Sequence, residues 1–245
     1  MRIIFKKHKR RYGARRIADE LRDLGHACSV RRVRKLLKTQ SLEAIQPKSF
    51  QPKTTNSRHR LGYSPNLLLD SQDPDGINQL WVGDITYIRL RRGTFAYLAV
   101  LMDRFSRRII GWNLGADMTE SLVLNVLRRA IRERRLQAPP APLNDGLIHH
   151  SDRGGQYAGT RYRAMLRRAG IRQSMSRAAD CYDNAFMESC FGTIKRELEM
   201  AAYQDHAAAQ SEIAKFIRYY NFQRKHSGIE YLNPAQFESL INPPK

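Results

Sequence analysis

Apolar residues recur at helical spacing in several stretches of the chain, separated by short extended runs. Over residues 15–24, Ile17, Ala18, Leu21 and Leu24 share one face, and Gly25 ends the run. Ser29 stands where an N-cap belongs for a second helix reaching about Leu37, with Val30, Val33 and Leu37 turned inward. Residues 46–79 sustain no period, and Pro47, Pro52, Pro65 and Pro74 among polar residues describe a linker. Residues 81–90, rich in aromatic and β-branched side chains, read as a strand, and 94–102 and 108–114 as the next two. Residues 119–135 carry Leu122, Val123, Val126, Leu127 and Ala130 as one buried helical stripe. A short strand over 147–150 follows, then a turn at Arg153-Gly154-Gly155. Residues 172–181 lack regular periodicity and join that strand to a helix over 185–198. A last helix, over 206–222, buries Ile213, Phe216, Ile217 and Tyr220.

Charge changes the picture of the amino-terminal part. The 245-residue chain carries a net charge of +20, which implies a polyanionic partner. Residues 1–60 hold 18 Lys/Arg against 4 Asp/Glu, so most of the excess lies there. With Val33 and Leu37 buried, Arg31, Arg32, Arg34 and Lys35 are left on the outside of the second helix. Helix, Gly-containing turn and basic second helix make a helix-turn-helix module over 1–45 that contacts DNA phosphates or groove edges through those four residues. A solvated basic helix pair is the alternative. The linker stays positive through Lys48, Lys53, Arg58 and Arg60, which suits a path along DNA.

Three acidic segments hold the candidate chemistry. They are Leu80-Trp81-Val82-Gly83-Asp84-Ile85-Thr86-Tyr87-Ile88, His149-His150-Ser151-Asp152-Arg153-Gly154-Gly155-Gln156-Tyr157 and Asp183-Asn184-Ala185-Phe186-Met187-Glu188-Ser189. Thirty-five residues separate Asp152 from Glu188, and Lys195 follows seven positions later on the same helix face. Cutting a phosphodiester requires charge stabilisation on both the attacking and leaving oxygens, which two divalent ions supply. Mg²⁺ prefers carboxylate oxygens, so three acids suffice. Taken singly, each residue also has a plainer reading: a solvent-facing strand Asp, a turn Asp, a solvated helix Glu and a surface Lys. Asp103, at a strand end, reads either as a support to the metal-binding acids or as structural, Asp180 as a decoy, and Asp183 as the cap of the helix bearing Glu188.

These segments and their spacing resemble the DD(35)E transposase and retroviral-integrase superfamily, and within it the second-frame protein of the insertion-sequence-three family. The likeness runs from about Tyr12 to Phe237. It includes Tyr12-Gly13-Ala14-Arg15-Arg16-Ile17 and the tail Tyr219-Tyr220-Asn221-Phe222-Gln223-Arg224-Lys225-His226 followed by Tyr231-Leu232-Asn233-Pro234. It implies an α/β fold, with a ribonuclease-H-like catalytic core over 79–200 behind the helical module. A linker spans 46–78, and a carboxy-terminal helix and tail packing on the core span 201–245. It further implies that Asp84, Asp152 and Glu188 are both catalytic and metal-binding, with two Mg²⁺ per site and Mn²⁺ as substitute. Lys195 is expected on a DNA phosphate, and Ser174, Ser176 and Arg177 in a mobile loop are expected to touch DNA. Arg224, Lys225 and His226 are expected at DNA or a second protomer. Partners implied are the element's terminal repeats, target DNA, further copies of the chain and a first-frame protein. The setting implied is the nucleoid of a bacterial cytoplasm. Related proteins commonly carry more sequence before Tyr12, so Met1 is expected to mark a shortened or internally started copy.

Cys28, Cys181 and Cys190 form no CxxC pair, which argues against a zinc site and a disulfide framework. No P-loop implies ATP, no apolar run approaches a membrane span, and no signal peptide opens the chain. Two rival readings stay open. One is a DNA-binding relic or regulator without chemistry; the other is a ribonuclease-H-like nuclease that cuts without joining.

Overall fold

A computed structural model describes residues 1–45, 62–69, 73–134, 146–177, 185–198 and 202–241. Three short helices come first: α1 (Arg2–Lys7), α2 (Ala14–Asp23) and α3 (Val30–Thr39). Gly25 turns the chain out of α2 at φ +79°, a left-handed conformation that glycine adopts without Cβ strain. Ser29 caps α3 as its sequence requires, its hydroxyl accepting from the Arg32 amide at 3.2 Å.

The central sheet has the order β3-β2-β1-β4-β5. Strands β1 (Leu80–Arg89), β2 (Phe95–Asp103) and β3 (Ile109–Gly115) form an antiparallel meander, and β4 (Ile148–Ser151) and β5 (Arg172–Met175) continue parallel to β1. Side chains of a strand alternate between faces, so each strand feeds two cores. Trp81, Ile85, Ala99 and Leu101 pack under α4 (Glu120–Glu133), α5 (Gly155–Ala158) and α6 (Thr160–Arg168). Leu80, Val82, Ile88, Leu98, Val100 and Met102 face α7 (Ala185–Glu197) and α8 (His206–Phe222). Gly111 is required by α4: a Cβ there would stand 2.6 Å from the Val126 carbonyl oxygen.

The three amino-terminal helices do not stand apart from this body. Ile4, Phe5, Tyr12, Ile17, Val33 and Leu37 join the α7–α8 core. Residues 63–67 lie along the outer edge of β5, where the Met175 amide donates to Pro65 O and the Leu67 amide to Ser174 Oγ. The part of the expected linker nearest the core is thus seated on it. Lys48, Lys53, Arg58 and Arg60 lie outside the described residues.

At the opposite end, α9 (Pro234–Ile241) carries a buried carboxylate. Glu238 accepts from Ser106 Oγ and Arg108 at 2.6 Å and from Arg134 at 2.5 Å. Asp103, fully buried, accepts from the amides of Asn78, Phe105 and Ser106 and faces Arg134. These bonds tie the end of β2 to the turn that follows it.

Candidate active site

Asp84 follows Val82 and precedes Ile88 on the β1 face that α7 covers, by strand alternation. In the β1–β4 register Gly83 lies opposite Ser151. One step further along two parallel strands stand Asp84 and Asp152, so two residues 68 positions apart in sequence become lateral neighbours. Asp84 Oδ1 accepts from the Ile85 amide at 2.7 Å, and Asp152 Oδ1 from the Gly154 amide at 3.0 Å. The second bond is the turn that the Gly-Gly sequence led one to expect, so Asp152 both makes the turn and ends the strand.

Beneath this pair the interior is aromatic. Tyr157 is buried, and desolvation together with the charges of Asp84 and Asp152 pushes its phenol well above the usual range. It stays a neutral phenol. His149 donates to or accepts from Tyr162 at 3.0 Å, and His150 meets Ser174 Oγ at 2.8 Å. Both imidazoles are fully buried, and burial followed by the neighbouring His150 holds His149 down at about 3.

Helix α7 buries Met187, Cys190, Phe191 and Ile194 against the sheet, which leaves Glu188 and Ser189 exposed. Its carboxyl end lies toward the far end of β1. Lys195 Nζ sits 4.4 Å from the Tyr87 ring centroid, and Tyr203 just beyond pairs with Leu90. Glu188 lies two turns back from Lys195, about 10.5 Å of helix rise; Asp84 lies three residues back from Tyr87, about 10 Å of strand. Burial lowers the Lys195 ammonium pKa, and the Asp84 charge partly opposes that. Among the described residues, however, no three His, Cys, Asp or Glu side chains converge enough to hold a metal ion. The register sets Asp84 beside Asp152, and Glu188 stands on the helix that covers this face.

Sequence reasoning missed what holds the start of this helix. Phe186, two residues before Glu188, is sandwiched by Arg104 at 3.3 Å and Arg107 at 4.2 Å. The cue was available, since both arginines belong to the Asp103-Arg104-Phe105-Ser106-Arg107-Arg108 turn, but nothing in it names an aromatic 80 residues away.

Of the expected DNA contacts, Arg31, Arg32, Arg34 and Lys35 are exposed on α3, and Arg177 is exposed after β5. Ser174 and Ser176 are not available: both are buried, Ser174 between His150 and the Leu67 amide. Ser174 belongs to β5 and Ser176 follows it directly, on a strand too short and too mixed in polarity for its period to show. The tail residues are also turned inward. Arg224 is bidentate on Glu197, and Lys225 pairs with Asp19 and Asp23 of α2. His226 stacks edge-on to Tyr220. Asp180 and Asp183 lie outside the described residues. Cys28 and Cys190 are free thiols. No described helix is long and apolar enough to cross a membrane.

Comparison with known proteins agrees with this fold. Two models described as an integrase core domain match residues 74–181 and 169–234, and an HTH-like domain matches residues 1–50. The chain is 40% identical to the transposase for insertion sequence element IS904 of Lactococcus lactis, over 97% of this chain and 91% of that one. It is 39% identical to transposase InsF for insertion sequence IS3A of Escherichia coli K12, over 96% of this chain and 79% of that one. In fold it resembles a chain of the simian T-cell lymphotropic virus intasome solved in complex with PP2A regulatory subunit B56 gamma, with TM-score 0.54 and 16% identity over 78% of this chain and 63% of that one. The HTLV-2 integrase catalytic core, solved with magnesium, aligns with TM-score 0.50 and 17% identity over 66% of this chain and 96% of that one. The sheet and its helices are thus the ribonuclease-H-like integrase core, preceded by a helix-turn-helix-like module.

Proposed function

Because the chain belongs to the IS3 family of insertion-sequence transposases, we propose that Asp84, Asp152 and Glu188 are the carboxylates at which it cleaves and rejoins DNA. The observation that carries this reading is the β1–β4 register, which sets Asp84 beside Asp152 on the face covered by the helix of Glu188. The pair suits a hard cation, since Mg²⁺ asks for only one or two carboxylates beside water and substrate phosphate. Asp84 shared between two ions, with Asp152 and Glu188 each completing one, would hold two Mg²⁺, and Mn²⁺ would substitute. Bound there, the metal would lower the pKa of the attacking oxygen and stabilise charge on the leaving one.

The protein's own groups supply the rest. Lys195, half-buried over Tyr87, offers a cation to a DNA phosphate beside Asp84. Arg177, exposed after β5, is suited to a neighbouring phosphate. Water attacks at an element end, a new P–O bond forms, and the old bond breaks to free a 3′ hydroxyl. That hydroxyl then attacks the phosphorus of a second phosphodiester. One P–O bond forms, the bond to that phosphate's own 3′ oxygen breaks to free a new 3′ hydroxyl, and one element end is first joined to the other in a circle. Each step trades one P–O bond for another and needs no ATP. Tyr157, neutral and buried, takes no covalent part. The chain acts as an oligomer on DNA, together with a first-frame protein, on the nucleoid of a bacterial cytoplasm.

The test is a strand-transfer assay with labelled element-end DNA in Mg²⁺ or Mn²⁺. Metal-dependent joined products support the transposase chemistry; cleavage without joining points to a nuclease, and tight binding without chemistry to a relic or to a chain that requires its first-frame partner.

For α3 we expect replacement of Arg31, Arg32, Arg34 and Lys35 by Ala to weaken DNA binding and flatten its salt dependence. The slope of log K against log salt should fall by about 0.9 for each phosphate that is no longer neutralised. An unchanged slope in a filter-binding titration would return α3 to a solvated basic helix.

A further inference from the structure

The tail motif Asn221-Phe222-Gln223-Arg224-Lys225 has no part in the chemistry above, yet most of its polar groups are buried, each reaching a different element. Asn221 pairs with both backbone groups of Ile109, at 3.0 and 2.8 Å, on the outer edge of β3. Arg224 clamps Glu197, the last residue of α7, with hydrogen bonds of 2.7 to 3.0 Å. Lys225 reaches back to Asp19 and Asp23 on α2, and its amide donates to Tyr12 Oη at 2.8 Å. Glu197 is in turn met from the amino-terminal side. Arg16 of α2 lies 3.6 Å from its carboxylate, and Arg11 donates to its carbonyl at 3.0 Å.

One buried carboxylate at the end of α7 is therefore the junction of that helix, the tail and the amino-terminal helical module. Helix α7 also carries Glu188, nine residues before Glu197 on a rigid helix. We infer that Glu197 is a positioning residue for the transposition reaction. Gripped by Arg224 and Arg16, it fixes α7 along its axis and so sets how Glu188 meets Asp84 and Asp152, with the helix-turn-helix module bearing on the same point. This rests on the reading of Glu188 as a catalytic carboxylate. The partner surfaces are complementary: two guanidinium groups converge on one buried carboxylate.

The experiment uses the full chain with Glu197→Gln, which keeps the shape and an acceptor oxygen but removes the charge between the two arginines. A displaced Glu188 is expected to slow end cleavage at saturating DNA by about 10- to 100-fold. The Mg²⁺ concentration for half-maximal rate should rise several-fold. Affinity for element-end DNA, which α3 governs, should stay close to that of the unchanged protein. A merely structural role predicts a rate that follows the folded fraction, with the Mg²⁺ midpoint unmoved, and that result overturns the proposal. If Glu197→Gln does not fold, Arg16→Gln carries the test, since it leaves the Arg224–Glu197 pair in place. It should shift the Mg²⁺ midpoint in the same direction by less, and an unshifted midpoint rejects the proposal. Glu188→Gln run alongside separates the two readings. If it cleaves normally, the site itself has been misread; if it is inactive while Glu197→Gln behaves as the unchanged protein, only the positioning role fails.

Discussion

Glu188→Gln is expected to abolish both end cleavage and strand transfer while leaving the fold and DNA binding in place. The amide has the shape of the acid, and Glu188 is exposed on α7, so no buried partner is orphaned by the change. What disappears is a full negative charge at the position that would complete a metal site. Metal assistance contributes several kcal/mol to such a reaction, and each 1.4 kcal/mol is a factor of about ten, so the loss should be about 10³-fold or more. Asp84→Asn should do at least as much, because Asp84 is the carboxylate assigned to both ions. DNA affinity should hold or rise, since a negative charge beside phosphates has been removed. The decisive comparison is with Asp103→Asn. Asp103 is, like Asp84, an acid of the central sheet, but it is buried among amides and Arg134. Its loss should lower thermal stability and leave the rate of the folded fraction alone. Normal cleavage by Glu188→Gln, or the pattern reversed between the two acids, would move the chemistry away from the β1–β4 pair.

The parts of the protein that were legible in its sequence were those with a long period or a strong local rule. The stripe Leu122, Val123, Val126, Leu127 and Ala130 became α4 with all five side chains buried, and the α8 stripe became a helix over the same residues expected of it. Ser29 and Gly25 marked their boundaries because capping and a positive φ each admit few residue types. The acids Asp84 and Asp152 were nameable from their flanks, and the strand register brings them together. Short elements were not legible. Helix α1 has six residues and β5 has four, too few for a period to rise above composition. Helix α6 was findable, since Tyr162 and Leu166 are four apart and both buried, but its arginines masked the stripe. The tail misled for a physical reason. Arg, Lys and His in a +20 chain suggest DNA, yet Arg224 and Lys225 are matched by Glu197, Asp19 and Asp23, acids that lie 27 to 206 positions away. Sequence shows the charge of a residue but not its long-range partner.

Acid should begin to destabilise this protein below about pH 6.5, before its carboxylates take up protons, and three histidines set the window. His8 is buried, stacked on Tyr12 at 3.7 Å and bonded to the Tyr219 hydroxyl; desolvation and then Lys7 and other nearby cations hold it at about 4. His149 is held at about 3 by burial and His150, and His226 at about 2 by burial and the adjoining Arg224. In each case the native pKa lies below the usual 6.5, so the native state refuses a proton that the unfolded chain accepts. Above about pH 6.5 neither state is protonated and there is no penalty. As pH falls below it, the unfolded chain gains up to three protons that the native protein lacks, and stability declines. One proton corresponds to about 1.4 kcal/mol per pH unit, so the three together approach about 4 kcal/mol per unit between about pH 5.5 and 4. Glu238 adds to the loss below its usual range. Its burial alone would raise it, but Arg134, Ser106 and Arg108 outweigh that and hold it down. Asp103 opposes, because burial raises its pKa and lets the native state take up a proton first. One carboxylate does not offset three imidazoles. Against a typical stability of about 5–15 kcal/mol, the native state should be lost near about pH 4. Urea unfolding at about pH 7.5, 6.5, 5.5 and 4.5 measures this directly, and a free energy that stays level from 6.5 to 4.5 would mean the histidines are hydrated. His8→Gln, which keeps a group able to bond the Tyr219 hydroxyl, should reduce the slope below about pH 5.5 by about one proton, or about 1.4 kcal/mol per pH unit.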